Sequence, residues 1–223
     1  MVFYAKFSSA KVLPAETLYG KVVKKFEHYQ ETESLVEKLS NAYPFSDYTK
    51  RARLLLILSH VVTQEYSEAV FDAETYLSLY PHSKDNEFVY YLMSMSYFKQ
   101  IKDHTRNTHH IQNMIETVKT MKTQYPQSVF LPELHLRIEH ILQVESKKAL
   151  EIGKYYARRS NHIAAINRYY EALQYNNKYK EESLFRLMES YDRLSLSEES
   201  DFYKNKIISE FPESNWLNYL GTI

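Results

Sequence analysis

The groups able to do chemistry in this chain of 223 residues are histidines, carboxylates, arginines and lysines, for it has no cysteine. Without thiols there is no disulfide, no thiolate nucleophile and no cysteine-ligated zinc. Three scattered glycines cannot form a loop whose backbone amides cradle a phosphate. No G-x-G-x-x-G, P-loop, G-x-S-x-G or H-E-x-x-H stands anywhere in the sequence. Among the nine histidines, His104, His109 and His110 fall close together. No carboxylate stands near them at a ligand-like spacing, so solvated loop histidines explain them better than a metal site does. His135 and His140 are five apart and do not share a helical face. The acidic pairs Glu181-Glu182 and Glu198-Glu199 fall where helices are expected to begin, and there they complement the helix dipole. No residue is assigned to catalysis, to a cofactor or to a metal.

One charged stretch needs an explanation. From Lys147 to Arg168 the chain carries Lys147, Lys148, Lys154, Arg158, Arg159 and Arg168 against a single acid, Glu151. A solvated helix face accounts for Lys147 and Lys148. Arg168 stands amid Ala164, Ala165, Ile166 and Tyr169, surroundings that would partly enclose it. Its planar fork suits bidentate pairing with a carboxylate. Two readings stand side by side: an acidic partner protein, or an internal salt bridge. Over the whole chain 28 Lys and Arg balance 28 Asp and Glu. That lacks the cation surplus by which proteins neutralise nucleic-acid phosphates, so nucleic acid is not an expected partner.

The elements that must position these groups are helices. Three Gly and six Pro are too few for the turns of a sheet protein of this size. The 21 Tyr and 11 Phe give helices large side chains to pack with. Four of the prolines sit in one mark: Tyr43-Pro44-Phe45-Ser46, Tyr80-Pro81-His82-Ser83, Tyr125-Pro126-Gln127-Ser128 and Phe211-Pro212-Glu213-Ser214. A degenerate copy is Tyr175-Asn176-Asn177-Lys178. Counted from aromatic to aromatic at 43, 80, 125, 175 and 211, the intervals are 37, 45, 50 and 36 residues. Proline has no amide hydrogen and clashes with the turn before it, so a helix stops there. The serine two residues on can cap the next helix by accepting from its free amides.

Each interval holds two helices of tetratricopeptide length, about 34 residues per repeat. The expected helix pairs are 15–42, 46–79, 84–124, 128–174 and 178–210, giving an all-α, tetratricopeptide-type superhelix of about five pairs. Ala52, Leu55, Leu56 and Ser59 form one stripe, with a break near Gln64-Glu65-Tyr66. Ala69, Val70, Ala73, Tyr76 and Leu77 form the next, and Leu184, Leu187, Met188 and Tyr191 a later one. Ala69, Ala164 and Gly20 are expected at the small positions where paired helices approach closely. The polar run Lys102–His110 reads as a loop inside the third pair, and residues 129–159 as one long helix shared between repeats. Stacked pairs bury the apolar faces that single pairs cannot, and leave a groove. No apolar run approaches the length of a membrane span, and Met1–Pro14 has no apolar core of signal-peptide length.

Two stretches resemble the BamD family of outer-membrane protein assembly factors, the five-repeat lipoproteins of the bacterial BAM complex. The first is Tyr43-Pro44-Phe45-Ser46-Asp47-Tyr48, followed by a helix and by Tyr66-Ser67-Glu68-Ala69 leading to Tyr80-Pro81. The family has Y-P-F-x-x-Y there. The second is Tyr155-Tyr156-Ala157-Arg158-Arg159-Ser160-Asn161-His162-Ile163-Ala164-Ala165-Ile166-Asn167-Arg168. The family has Y-Y-x-x-R, a small residue and an A-V-x-R-like helix. The likeness runs over about residues 16–214.

The resemblance implies a place at the periplasmic face of the outer membrane, held by a lipid on an N-terminal cysteine. It implies contact of the C-terminal repeats with the periplasmic domains of a BamA-like barrel protein, alongside other BAM lipoproteins. It implies that the N-terminal repeats receive unfolded outer-membrane proteins. By matching positions, Arg159 and Arg168 become candidate BamA contacts, and Tyr43, Phe45 and Tyr48 lie near the N-terminal groove. For these three aromatics, packing between helices competes with ligand contact. The chain departs from the family in having no cysteine, so residues 1–14 are read as a residual linker after a removed signal and lipidation segment. The divisions expected are 15–127 for the substrate-peptide groove (repeats 1–3) and 128–223 for the BamA-contact region (repeats 4–5). The rival readings are a general tetratricopeptide peptide-binding adaptor or co-chaperone of periplasm or cytosol, and an enzyme with an unfamiliar helical site.

Overall fold

The computed structural model describes residues 13–101, 108–174 and 178–219. Within these the chain forms ten α-helices and a 3₁₀ turn, with no strand. The first pair is α1 (Ala15–Glu27) and α2 (Glu33–Ala42), and the second is α3 (Asp47–Val62) and α4 (Tyr66–Leu79). The third is α5 (Asn86–Gln100) and α6 (Thr108–Gln124), and the fourth the long α7 (Leu131–Arg158) and α8 (His162–Leu173). The fifth is α9 (Lys180–Arg193) and α10 (Ser197–Glu210), closed by the 3₁₀ turn Asn215–Tyr219. The fold is the all-α tetratricopeptide type, and the helix pairs fall where the proline marks place them. Among the described residues no helix is long and apolar enough to cross a membrane.

The aromatic-proline mark has one geometry in all four copies. The aromatic amide closes the last turn of the preceding helix: Tyr43 to the Leu39 carbonyl at 2.8 Å, Tyr80 to Tyr76 at 2.9 Å, Tyr125 to Met121 at 2.7 Å, Phe211 to Ile207 at 2.8 Å. The serine amide then donates back to the aromatic carbonyl at 3.0–3.1 Å. The serine hydroxyl accepts from the amide two residues on, Tyr48, Asp85, Phe130 and Trp216, at 3.1–3.2 Å. Ser46 alone is a helix N-cap. Ser83 and Ser128 close a turn ahead of their helices, and Asp85 takes the N-cap position of α5 without a side-chain cap bond, a correction to the expected cap. The cause is local: a serine side chain reaches its own backbone two residues away as readily as it reaches a helix start.

The turns inside pairs are built differently. Tyr29, Gln64, Ser160 and Ser195 hold φ of 54°, 66°, 59° and 59°. Each is followed by an amide that donates to the carbonyl five residues back: Gln30 to Lys25, Glu65 to His60, Asn161 to Tyr156, Leu196 to Tyr191, at 2.8–3.0 Å. This left-handed helix end normally takes glycine. Here four side-chain-bearing residues occupy it.

The chain divides into two compact units, Met1–Leu134 and His135–Ile223. In the first, Leu18 and Val22 of α1, Val36 and Leu39 of α2, and Ala52 and Leu56 of α3 form one buried cluster. Ile57 of α3, Ala73 and Tyr76 of α4, and Val89 and Leu92 of α5 form another. One helix can serve both because residues 52, 56 and 57 lie on adjoining faces. In the second unit, Leu150 of α7, Ala165, Ile166 and Tyr169 of α8, Leu184, Phe185, Leu187 and Met188 of α9, and Tyr203 and Ile207 of α10 share a single core.

Two small-residue expectations change. Gly20 is exposed, and a methyl group added there meets nothing within 4 Å. The close approach is at Gly153, where an added Cβ would fall against the Tyr169 ring. Ala69 is fully buried as expected, but its counterpart on α8 is Ala165, also fully buried, rather than Ala164. Both Ala69 and Ala165 donate to the carbonyl of their helix N-cap, Glu65 and Asn161. Counting back from position 176 misplaced that helix by one residue. His109 and His110 belong to the first turn of α6 rather than to a loop. The rest of that expected loop, Lys102–Asn107 with His104, and the degenerate mark at Tyr175–Asn177 lie outside the described residues.

Candidate functional site

In the first unit the three aromatics of the Tyr43-to-Tyr48 stretch part company. Tyr43 leans on the α1–α3 cluster and its hydroxyl donates to the Leu13 carbonyl at 3.1 Å. Tyr48, in the first turn of α3, packs on the same cluster with its ring 5.5 Å from that of Tyr19. Both do the work of interhelix packing. Phe45 does not: held at the turn between α2 and α3, its ring is wholly exposed. A bare phenylalanine contributes nothing to the core and offers apolar surface to whatever docks there.

In the second unit, Arg159 stands in the turn just after α7 and is exposed, its guanidinium lying 4.6 Å over the Tyr155 ring. At that distance the ring attracts the guanidinium as a cation–π contact. Arg168, on α8, is half-buried and pairs with Glu171 at 2.6 Å. It lines a shallow polar recess of about 580 Å³ with Tyr156, Asn161, Ala164, Asn167 and Glu171. Arg159 is not on that lining. The internal salt bridge is therefore present, yet Glu171 is nearly half exposed, and such a pair can be exchanged for a partner's carboxylate at small cost.

The basic stretch is less bare than its sequence looks. Lys148 lies 3.7 Å from Glu145. Lys154 lies 2.9 Å from Glu151 and 3.1 Å from Glu182 of α9. Burial pulls the Lys154 ammonium down, but the bonds to Glu151 and Glu182 outweigh it and hold it above its ordinary value. Glu182, at the start of α9, thus serves a salt bridge as well as the helix dipole. Arg186 of α9 pairs with Glu189 at 2.7 Å and lies 3.5 Å from Glu182. It also stacks 5.0 Å from the Trp216 ring.

Sequence reasoning passed over a second pocket in this unit. It measures about 330 Å³ and lies among α7, α8 and α9, with Arg158, Tyr169, Arg186 and Arg193 on its walls. The readable signal was the spacing 186, 189, 190, 193, which sets one face of α9. The core tyrosine beneath it left no signal in the sequence at all. Among the described residues no group of three or more histidines and acids is placed to hold a metal ion.

A family model described as YfiO, outer membrane lipoprotein, matches residues 12–207. The chain belongs to this family. Three of its curated relatives share the name outer membrane protein assembly factor BamD. The relative from Rickettsia prowazekii (strain Madrid E) is 28% identical over 218 residues, covering 96% of this chain and 87% of its own. That from Caulobacter vibrioides is 25% identical over 207 residues, covering 91% and 68%. That from Pasteurella multocida (strain Pm70) is 24% identical over 182 residues, covering 76% and 70%. A thermophilic TPR protein of Thermus thermophilus overlays 90% of this chain and 93% of its own at 16% identity, with a TM-score of 0.40, too loosely to add to the fold already described. Tyr43, Phe45, Tyr48, Arg159 and Arg168 all fall within the span that the YfiO model matches.

Proposed function

We propose that this chain is a non-catalytic scaffold of the outer-membrane β-barrel assembly machine, working at the periplasmic face of the outer membrane beside the other BAM lipoproteins. The match to the YfiO family over residues 12–207 carries the reading. Relatives named as outer membrane assembly factors, aligned over most of the chain, support it. On this reading the second unit binds the periplasmic domains of a BamA-like barrel protein through Arg159 and Arg168. Arg168 supports that role because its carboxylate partner is its own neighbour Glu171, half exposed and replaceable. The first unit receives unfolded outer-membrane proteins, with Phe45 as the aromatic that meets the incoming segment and Tyr43 and Tyr48 as its support.

The test is a binding titration with the purified periplasmic domains of a BamA-like protein. The parent chain is expected to bind at tens of micromolar or tighter, a free energy of about −6 kcal/mol or more favourable. Arg168→Glu places two carboxylates together and is expected to weaken binding about ten-fold or more. Absence of binding by the parent chain at those concentrations would overturn the assignment and leave a peptide-binding adaptor of another system.

A further inference from the structure

The pocket among α7, α8 and α9 has more donors than the protein itself uses. Four cations line it: Lys154 and Arg158 from α7, Arg186 and Arg193 from α9. Lys154 and Arg186 are already matched by Glu151, Glu182 and Glu189. Arg158 and Arg193 lie within ion-pair distance of no carboxylate among the described residues. The same pocket is lined by Tyr169, which is fully buried and whose hydroxyl has no hydrogen-bond partner. Burial pushes that phenol up to about 12, so it keeps its proton and remains a donor at neutral pH. The Nδ1 of His162, on the same wall, is buried and likewise without a partner.

A buried hydroxyl with nothing to bond is costly, and native proteins rarely keep one without a use for it. Here the idle hydroxyl lines one pocket with two exposed guanidinium groups that pair with no carboxylate among the described residues. What completes the set is an acceptor-only group with one negative charge and two oxygens, the pattern that arginine forks recognise best. The Glu189 carboxylate on the wall disfavours a doubly charged anion such as phosphate. A volume of about 330 Å³ admits one side chain or one chain end rather than a folded surface.

We propose that this pocket binds a carboxylate of an extended peptide, with Arg158 and Arg193 clamping its oxygens and the Tyr169 hydroxyl donating from below. The site is separate from the Arg168 recess, and it does not depend on which machine the chain serves. The carboxylate can come from an Asp or Glu side chain or from a chain terminus.

The experiment uses the full chain and the hexapeptide Gly-Ser-Gly-Ser-Gly-Glu carrying a net-neutral dye, read by fluorescence anisotropy. Three further probes replace Glu by Gln, amidate the C-terminus, or do both. The first probe is expected to saturate below about 1 mM, and the doubly neutral one not to bind. The two single changes tell the side-chain source from the terminal one. Arg158→Gln with Arg193→Gln should weaken binding about ten-fold or more. Tyr169→Phe should weaken it several-fold with no fall in melting temperature. Arg168→Gln, in the neighbouring recess, should change it less than about two-fold. Circular dichroism confirms that each variant is folded. The proposal is overturned if the first probe fails to saturate by about 5 mM. It is overturned equally if the folded double variant binds like the parent, or if inorganic phosphate displaces the peptide at equal concentration. No BamA-like protein enters this titration, so it can fail while the barrel-protein titration succeeds, and the reverse.

Discussion

Two glycines with the same name have opposite jobs. Gly153 lies where a Cβ would meet the Tyr169 ring, whereas Gly20 faces open space in the middle of α1. Gly153→Ala is expected to cost about 1–3 kcal/mol, because a packed core accepts an extra methyl only by displacing its neighbours. Gly20→Ala is expected to gain up to about 1 kcal/mol from helix propensity alone. Denaturant midpoints of the two variants, moving in opposite directions, check the pair. A third residue sets a pH dependence. The Nδ1 of His60 on α3 lies 3.0 Å from Asp72 on α4, both largely buried. The Asp72 carboxylate beside it outweighs burial and holds the imidazole above its ordinary value. A pKa raised by folding gives stability that is full below the unfolded value of about 6.5 and lost as pH rises through the folded one. The parent is therefore expected to exceed His60→Gln in stability by more at pH 5.5 than at pH 8.5, as read by urea unfolding at each pH. An equal gap at both would mean that the pair contributes no charge. None of these roles was visible from residue type, since burial and partner decide them.

At the scale of elements, legibility followed the chemistry of the two turn types. Turns between pairs, save the one after α8, carry proline, whose missing amide and fixed φ leave a mark. The pairs around residues 43, 80, 125 and 211 were therefore placed closely from sequence. Turns inside pairs hold Tyr29, Gln64, Ser160 and Ser195 in the left-handed region, where glycine would have announced them. With side chains there, only Gln64 lay near a break that the polar pattern exposed. The left-handed state costs a side-chain-bearing residue about 1–2 kcal/mol, partly offset by the freedom that glycine restores to the unfolded chain. Gln64→Gly is accordingly expected to stabilise by about 0.5–1 kcal/mol, measured as a rise in melting temperature; Gln64→Val should do the reverse. Of the candidate site, the arginines were legible because the run that holds them is long and basic. Phe45 could not be told apart from Tyr43 and Tyr48, since nothing in its own spacing tells a bare ring from a buried one. The pocket over Tyr169 needed three helices to exist, and no window along the chain holds all of its parts.

For the whole molecule, the buried clusters draw on separate residues. Leu39, fully buried, belongs to the α1–α3 cluster, and Leu184, Leu187 and Ile207 to that of the second unit. In stacked helix pairs each element is held by its neighbours, so damage stays near its source. Leu39→Ala, expected to cost about 2–5 kcal/mol locally, should speed amide exchange through α1–α3 and leave α9 and α10 protected as before. Equal acceleration in both would show that the chain unfolds as one block. This arrangement suits the proposed scaffold, in which two faces engage two different partners.

The sole tryptophan of the chain, Trp216, lies 4.8 Å from the Phe185 ring and 5.0 Å from the Arg186 guanidinium that walls the Tyr169 pocket. Light at about 295 nm excites indole and passes over the 21 tyrosines. The chain thus carries a built-in optical gauge of its C-terminal end, whose emission colour reports wetting of that ring while the N-terminal helices stay dark. Unfolding of the two ends can be timed apart, and ligand arrival beside Arg186 followed without any label.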